Sequence, residues 1–205
     1  MTLLGNGLHV AKHHEDALTV YEAQLSMERR LGAPEEIILV TQGNLAMTYQ
    51  VLGRDEEAMR VKREVYSGYL RLYGEEHRRT LLAANNYAAS LFDLRRFKEA
   101  KSVQRKMTPV ARRVLGESHE LTISMRQNFA MVLYKSTGAT LDDLREAVAT
   151  LEELARTVRR VLGGEHPFTE EVEDSLREAR AALRDRDGGV SAIREAVAAM
   201  TARGA

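Results

Sequence analysis

Cysteine and tryptophan are absent from the 205-residue sequence, and proline occurs only three times. Without cysteine the chain has no disulfide, no thiolate metal site and no cysteine nucleophile, which is typical of a reducing compartment. So few prolines, together with much Ala, Leu, Glu and Arg, favour helix nearly everywhere, and we expect no sheet. The first residues lack the basic flank and apolar core of a signal peptide, and no run approaches the roughly 20 apolar residues of a membrane span. The sequence therefore predicts a soluble, cytoplasmic, all-α protein.

Net charge and catalytic motifs are missing as well. Thirty basic residues balance thirty acidic ones, so no global field draws the chain towards nucleic acid or an anionic membrane. The patterns Gly-x-x-x-x-Gly-Lys-Ser/Thr, Gly-x-Ser-x-Gly, His-Glu-x-x-His and Gly-x-Gly-x-x-Gly do not occur. Carboxylates alternate with arginines as they do on solvated helices. We expect no enzyme, no cofactor, no nucleic-acid partner and no membrane partner.

One pattern returns along the chain with a fixed spacing. Gly-x-x-His-x-x-Thr occurs at residues 74–80, 116–122 and 163–169, and the triplet Asn-x-Ala occurs at 44–46, 86–88 and 128–130. The Asn residues are 42 positions apart, because 86 − 44 and 128 − 86 are both 42. Such a period predicts stacked helix pairs that bury their apolar faces against their neighbours. We predict a single solenoid domain over 1–205, with a partial repeat at 1–32, full repeats at 33–74, 75–116 and 117–163, and a C-terminal capping repeat at 164–205.

Capping residues and periodicity predict the individual helices. The expected ranges are 8–31, 34–52, 56–73, 78–94, 98–115, 120–134 and 141–162, then a helix from His166 and Pro167 to Asp187, and a short amphipathic helix at 190–202. Gly5-Asn6-Gly7 should weaken any helix before the first of these. Pro109 predicts a kink or a local break, because it removes a hydrogen bond and clashes with the carbonyl of Arg105.

An insertion is also expected in the third full repeat. Ala58 and Ala100 are 42 residues apart, but Ala100 and Ala147 are 47 apart, which leaves five extra residues between about Leu133 and Glu146.

The linked positions of the repeat resemble the tetratricopeptide repeats of kinesin light chain. They are the Asn-Leu-Ala triplet, the Glu-Ala pair of each second helix, and Leu-Gly-x-x-His-Pro at 162–167, and they cover roughly residues 12–185. The resemblance implies a right-handed α-α superhelix whose first helices line a concave groove for partner peptides, often acidic ones with an aromatic anchor. The chain departs from the family at Pro109, around Gly138, and in lacking the heavy-chain-binding coiled coil. It therefore resembles a kinesin-light-chain-like repeat protein rather than a kinesin subunit.

The repeated asparagines are the first candidates for binding. Each amide offers two donors and an acceptor to an extended peptide, although buried amides also tie neighbouring helices together. Residues three, six and seven positions further along a helix share its face, and methionine and aromatic side chains there suit adaptable recognition, although such stripes are as often packing. The predicted peptide-binding groove consists of Asn44, Met47, Gln50, Asn86, Ala89, Phe92, Asn128, Met131 and Lys135.

Two other recurring residue types have structural explanations. His77, His119 and His166 lie one per junction, a whole repeat apart, and lack the close spacing of metal ligands, so no metal site is predicted. Arginines precede each junction glycine, at 29 and 30, 71, 112 and 113, and 159 and 160. Positive charge there complements the helix dipole. The alternative is a basic stripe for acidic ligands.

These observations lead to one functional hypothesis. The chain is predicted to be a non-catalytic scaffold or adaptor that binds a partner peptide or helix, such as an acidic segment, in its groove. The alternative is a structural subunit or homo-oligomer that assembles through its end repeats. RNA binding is disfavoured by the balanced charge and by the lack of a repeated base-reading code.

Overall fold

Helices account for every regular element in the described part of the chain. The computed structural model describes the backbone of residues 2–203 and the side chains of residues 3–189. The helices are α1 Thr2–Val10, α2 His14–Arg30, α3 Glu35–Val51, α4 Asp55–Tyr73, α5 Arg78–Asp93, α6 Phe97–Leu115, α7 Glu120–Lys135, α8 Leu141–Leu162 and α9 Pro167–Arg203. The predicted all-α fold is confirmed, and α3 to α8 begin and end within one residue of the predicted ranges.

The N-terminal prediction is wrong in two respects. Helix α2 begins at His14 rather than at residue 8, and a further helix, α1, runs through Gly5-Asn6-Gly7. A Cβ atom at position 5 would lie 2.6 Å from the ring of Tyr21. Glycine therefore lets α1 pack closely against α2, and this contact offsets the low helix propensity of the segment.

The predicted interruptions of two later helices are also wrong. Helix α9 continues through Gly188 and Gly189, so residues 190–202 form its continuation; their amphipathic character lies outside the described side chains. Each glycine costs a helix only about 1 kcal/mol, which lowers its stability without ending it. Helix α6 is continuous through the exposed Pro109, so there is no local break. A kink at Pro109 stays a prediction.

The five-residue insertion is confirmed, and it is divided between a loop and a helix. The turns after α3 and α5 have three residues each, whereas the loop after α7 has five, from Ser136 to Thr140. Helix α8 has 22 residues, against 19 in α4 and in α6. Two extra residues (5 − 3) therefore lie in the loop and three (22 − 19) in α8. The longer helix begins with a capping box between Thr140 and Asp143.

The chain divides into two compact units, residues 1–114 and 115–205. In the first unit, consecutive helices joined by short turns pack together as hairpins. Gly68 on α4 permits close approach there, because a Cβ atom at this position would lie 2.5 Å from Leu39 on α3.

The second unit has an apolar core in which Leu133, Leu151, Leu154, Val158 and Val172 are fully buried. Here α8 packs against both α7 and α9. The assignment of the whole chain to one domain of five repeat units stays a prediction.

Candidate functional site

The Gly-x-x-His-x-x-Thr motif forms the junction between helix pairs. Its glycines, Gly74, Gly116 and Gly163, have φ values of +78°, +86° and +90°, which a residue with a side chain adopts only with strain. They follow α4, α6 and α8, so each ends a helix and turns the chain towards the next one.

The histidines of the motif begin the next helix. The backbone N–H of Arg79 donates to Nδ1 of His77 at 3.2 Å, and that of Leu121 donates to Nδ1 of His119 at 3.1 Å. Nδ1 of His166 accepts in the same way from the N–H of Phe168 at 3.1 Å. Each imidazole thereby satisfies an amide that the helix itself leaves without a partner. Sequence reasoning excluded a metal role for these residues but missed their capping role.

The threonines of the motif fasten the new helix to the preceding segment. The hydroxyl of Thr80, fully buried, donates to the carbonyl of Tyr69 at 3.1 Å, and the hydroxyl of Thr169, also fully buried, donates to the carbonyl of Gly163 at 2.8 Å. The recurring motif is therefore a structural joint. Candidate binding residues therefore have to be sought outside the motif, among the exposed side chains of the helices.

In the first unit, the predicted groove residues lie on α3 and α5. We call the first helix of each pair, α3, α5 and α7, an A helix. Asn44 is half-buried, and its Nδ2 lies 3.5 Å from Oδ1 of Asn6 on α1, while Asn86 is exposed. Phe92 is half-buried and packs edge-on against Phe97, with ring centroids 5.5 Å apart. Asn86 is thus the more accessible of the two amides.

A concave pocket of about 270 Å³ joins three of these predicted residues. It is lined by Gly43, Met47 and Gln50 of α3, Lys62 and Val65 of α4, and Ala83 and Asn86 of α5. Nζ of Lys62 donates to Oε1 of Gln50 at 2.6 Å and to Oγ of Ser90 at 2.8 Å, so one ammonium group links α3 to α5. Burial lowers the pKa of Lys62 below its ordinary value, and the carboxylates of Asp93 and Asp55 oppose that shift.

Sequence reasoning missed an exposed apolar stripe beside this pocket. On α3, Ile37, Val40, Met47 and Val51 follow helical spacing, and their exposed fractions are 47%, 41%, 52% and 51%. Leu82 on α5 is 43% exposed. The spacing was visible in the sequence, but periodicity alone does not tell an exposed stripe from a buried one. We call Ile37, Val40, Asn44, Met47, Val51, Leu82 and Asn86 the A-helix face of the first unit.

In the second unit, the predicted groove residues lie on α7. Asn128 is half-buried, and Met131 packs against the core of that unit. Nζ of Lys135 lies 3.1 Å from Oε2 of Glu178 on α9, which also accepts a hydrogen bond from the hydroxyl of Tyr134 at 2.8 Å. Burial and the bond to Glu178 raise the pKa of Tyr134, whereas the bonds from Tyr134 and Lys135 lower the pKa of Glu178.

The described residues also bear on metal binding and on membrane spanning. Among the described residues, no group of three or more His, Asp or Glu side chains has the arrangement of a metal site. None of the helices in the part of the chain that the structure describes combines the length and apolar character needed to cross a membrane. The A-helix face offers hydrogen bonding by amides and apolar contact, and the adjacent pocket adds the ammonium group of Lys62.

Comparison with known proteins agrees with this architecture. The tetratricopeptide repeat family matches at residues 38–79 and 80–120. Residues 38–120 therefore carry tetratricopeptide repeats, and the fold is that of a tetratricopeptide repeat solenoid. The fold predicted from the resemblance to kinesin light chain repeats is thereby confirmed. No curated protein matches the chain at the level of sequence.

Similar solved structures extend the fold over nearly the whole chain. Two crystal structures of nearly identical TPR-like repeats, from a protein of Podosopora anserina assigned as a kinesin light chain, are 20% identical to this chain. The first, a single-substitution variant, has a TM-score of 0.76 over 98% of this chain and 93% of that chain; the other has 0.75 over 97% and 93%. BtubC (BKLC) from P. vanneervenii is 17% identical, with a TM-score of 0.73 over 98% of this chain and 79% of that chain. At these identities the similarity establishes the fold alone.

Tetratricopeptide repeats generally mediate protein–protein interactions, and proteins built from them are generally non-catalytic scaffolds. That general role agrees with an A-helix face that combines exposed apolar side chains with the amide groups of Asn44 and Asn86.

Proposed function

We propose that this chain is a non-catalytic adaptor that binds a partner peptide or helix on the A-helix face of the first unit. The observation that carries the proposal is the apolar stripe of α3, where four large side chains are each 41% to 52% exposed along one line. Contiguous exposed apolar surface on a soluble protein marks interaction sites, because leaving it in water is unfavourable. An amphipathic helix or an extended segment with apolar residues at regular intervals would cover it.

Polar groups next to the stripe supply direction and specificity. The amide of Asn86 is exposed, and Lys62 uses two of its three N–H donors on Gln50 and Ser90. A carboxylate of the partner would accept a hydrogen bond from the third donor. It would also favour the charged form of Lys62, and so oppose the lowering of its pKa that burial causes. We therefore expect a partner segment that combines apolar residues with at least one acidic residue. Ala89 and Phe92, also on α5, remain part of the proposal as secondary contacts. The peptide-binding role of Asn128, Met131 and Lys135, which lie in the second unit, stays a separate prediction.

Quantitative affinity capture from the native cell tests the proposal. The immobilised full chain is compared with the double variant Val40→Asp, Met47→Asp, which puts two charges on the stripe. The matched control is Met27→Asp, Val161→Asp, since these residues are 37% and 45% exposed and lie outside the A-helix face. The minimal segment of a captured partner is then titrated as a labelled peptide, and its affinity is expected to fall at least about 100-fold with the face variant and less than about three-fold with the control.

A single substitution then separates the polar contacts from the apolar ones. Asn86→Ala is expected to weaken the same peptide about five-fold to ten-fold, because it removes one exposed amide and leaves the stripe intact. Equal affinity of the peptide for the wild type and for the folded face variant would show that binding lies elsewhere.

A second candidate function is self-association through the first helix. On α1, Leu3, Leu4 and Val10 are 88%, 59% and 82% exposed, which is a large apolar surface for a nine-residue helix. This favours a homo-oligomer or a subunit that assembles through its end repeat. Light scattering over a range of concentrations tests it. A mass that rises with concentration in the wild type, and not in Leu3→Glu, Val10→Glu, would support assembly; a constant monomer mass would contradict it.

The proposed location of this adaptor is the cytoplasm. The sequence contains no cysteine, which suits a reducing compartment. Fractionation of cells that express the tagged chain would test this, and recovery with the membrane or secreted fraction would contradict it.

A further inference from the structure

Lys62 has surroundings unlike those of an ordinary surface lysine. The residue lies on α4, is half-buried, and lines the pocket of about 270 Å³ that α3, α4 and α5 form together. Its Nζ atom donates to Oε1 of Gln50 at 2.6 Å and to Oγ of Ser90 at 2.8 Å. Lys106 on α6 is the opposite case, because its side chain is 54% exposed and its Nζ atom lies 2.6 Å from Oε1 of Glu75. The first unit therefore offers a half-buried lysine and an exposed one for comparison.

The two hydrogen bonds of Lys62 fit an uncharged amine as well as they fit an ammonium group. An ammonium group has three N–H donors, of which Gln50 and Ser90 use two. A neutral amine has two N–H donors and one lone pair, so the loss of the third proton leaves both bonds in place. The lone pair then occupies the position that the third N–H group held. A lysine needs this lone pair to act as a nucleophile.

The surroundings also favour the neutral form of Lys62. Burial lowers the pKa of Lys62, and the carboxylates of Asp93 and Asp55 oppose that shift without cancelling it. For Lys106 the direction is reversed, because the hydrogen bond to Glu75 raises its pKa. Near neutral pH, Lys62 therefore has the larger fraction of free amine, which is the reactive form of lysine.

The pocket limits which reagents can reach the amine. Its volume of about 270 Å³ is small for a ligand site. Gly43 on α3 leaves space open there, since a Cβ atom at this position would have no neighbour within 4 Å. Met47, Val65 and Ala83 supply apolar lining, and Asn86 adds an exposed amide that can donate to a carbonyl oxygen. Such a pocket has room for a short acyl group and excludes a bulky one.

We propose that Lys62 is an acylation site, at which Nζ takes up a short acyl group such as acetyl from a small thioester. The lone pair of Nζ attacks the carbonyl carbon of the thioester, the carbon–sulfur bond breaks, and the departing sulfur takes the proton that the nitrogen loses. The products are an Nζ-acyl lysine and a free thiol, so no oxidant or reductant is needed. The inference goes beyond the adaptor proposal and does not depend on it, because acylation is measured without a partner.

Acylation would change the pocket in two ways. It removes the positive charge of Lys62, and it leaves Nζ with one N–H group in place of three. A single N–H group no longer supplies a separate donor to each of Gln50 and Ser90, which weakens the link between α3 and α5. The carboxylates of Asp93 and Asp55 also lose a neighbouring cation. The modification therefore removes charge from the pocket and loosens a contact between two A helices.

Site-resolved acetylation kinetics test the inference. The full chain is treated with S-acetyl-N-acetylcysteamine, a small thioester, and peptide mapping by mass spectrometry gives the acetylation rate of each lysine between about pH 7 and pH 10. Lys62 is expected to react at least about ten-fold faster than Lys106 near neutral pH, and its rate should level off at a lower pH. In the chain unfolded with guanidinium chloride, the two rates should agree within about two-fold, because the folded surroundings are gone.

Two variants at one position show whether the thioester reaches Lys62 through the pocket. Gly43→Leu fills open space in the pocket and should slow acetylation of Lys62 at least about five-fold, while the rate at Lys106 stays within about two-fold. The matched control Gly43→Ala adds only a Cβ atom and should change the Lys62 rate less than about two-fold. If Gly43→Leu does not fold, the wild type is treated with a bulky biotinyl thioester. The preference for Lys62 should then disappear, and its persistence would contradict the role of the pocket.

Three results would overturn the inference. They are acetylation of Lys62 no faster than that of Lys106, a preference for Lys62 that persists in the unfolded chain, and equal Lys62 rates in Gly43→Leu and Gly43→Ala. The first would mean that burial shields the amine more than it activates it. The second would mean that the local sequence directs the reagent, and the third that the reagent reaches Lys62 by a route outside the pocket.

Discussion

On α3 of the first unit, Met47 is 52% exposed, whereas Met131, at the same position of the repeat in the second unit, packs against that unit's core. Ile37 is 47% exposed, but its equivalent Leu121 is 7% exposed. Val51, at the end of α3, is 51% exposed, and its equivalent on α7 is Lys135, which forms an ion pair with Glu178. Equivalent positions of the repeat therefore form an exposed apolar surface in the first unit, whereas in the second unit they are buried or ion-paired. Position in a repeat does not decide whether a side chain is exposed; its neighbours do.

The largest expected effect concerns close packing in the first unit. Gly68 lies where the second unit has Thr157, and a Cβ atom there would come within 2.5 Å of Leu39. Gly68→Ala is expected to reduce the free energy of unfolding by about 2 kcal/mol, because the buried Leu39 side chain has to move within a packed interface. Denaturant unfolding followed by circular dichroism measures this.

The control for this prediction is Gly43→Ala on α3. A Cβ atom at position 43 has no neighbour within 4 Å, so alanine should raise the free energy of unfolding by up to about 1 kcal/mol. If both substitutions had the same effect, the helices of the first unit would not depend on a glycine contact.

The second prediction uses the two equivalent methionines. Met131→Ala is expected to lower the free energy of unfolding by about 1.5 kcal/mol, because its side chain packs against a buried cluster. Met47→Ala should change it by less than about 0.5 kcal/mol, as is usual for exposed positions. The same denaturation experiment compares them. Equal losses would mean that Met47 also belongs to a core and that the comparison between the units is invalid.

The third prediction concerns the turns that connect each helix pair. Gly53 has a φ of +72°, and Arg95, at the equivalent position of the next repeat, has a φ of +57°. An arginine in this left-handed region costs about 1 kcal/mol relative to glycine. It also lies over the ring of Phe97 at 5.4 Å, a contact that offsets about 0.5 kcal/mol of this cost.

Arg95→Gly should therefore raise the free energy of unfolding by about 0.5 kcal/mol, and Gly53→Arg should lower it by about 1 kcal/mol. Thermal unfolding of the two variants measures both changes. A stabilising Gly53→Arg would contradict the strain argument.

The smallest effect depends on pH in the second unit. Tyr134 and Lys135 hold the pKa of Glu178 below its ordinary value, so this carboxylate stabilises the folded state above its unfolded pKa and loses that contribution as pH falls through its folded pKa. Glu178 is 56% exposed, so the effect is small. Tyr134→Phe should lower the free energy of unfolding by about 0.5 kcal/mol at neutral pH, and the difference should vanish in acid.

Stability measured at neutral and acidic pH checks this prediction, and an NMR titration should show the Glu178 pKa rising towards its ordinary value in Tyr134→Phe. A difference between wild type and variant that persists after Glu178 is protonated would mean that Tyr134 acts through packing alone.

The helices were largely predictable because their signals are local. Gly74, Gly116 and Gly163 end helices by a backbone conformation that glycine favours, and this requirement is visible in sequence. The insertion was found by counting between equivalent alanines. The interruptions predicted at Pro109 and at Gly188 and Gly189 were wrong, because a low helix propensity lowers the stability of a helix without ending it. Gly5 is helical because α1 contacts Tyr21, which is distant in sequence.

The predicted groove residues show where sequence reasoning stops. Periodicity placed Met47, Gln50 and Asn86 on one side of their helices, and the structure joins them in one pocket. Periodicity did not reveal that Lys62 on α4 would line that pocket, because a contact between helices depends on how they pack. Nor did periodicity distinguish the exposed Met47 from Met131, which packs against a core. Equivalent residues have the same helical phase, but their exposure depends on the neighbouring helices.

The sequence by itself determined that this chain is helical, where its helices begin and end, and that they repeat with a period of 42 residues. Those properties follow from backbone preferences and capping hydrogen bonds within a few residues of each position. Only the tertiary structure decided which apolar stripe stays exposed, which ammonium group lines a pocket, and that four arginines of α8 and α9 line one pocket together. Burial and charge environment arise from residues far apart in the chain, and packing alone brings those residues together.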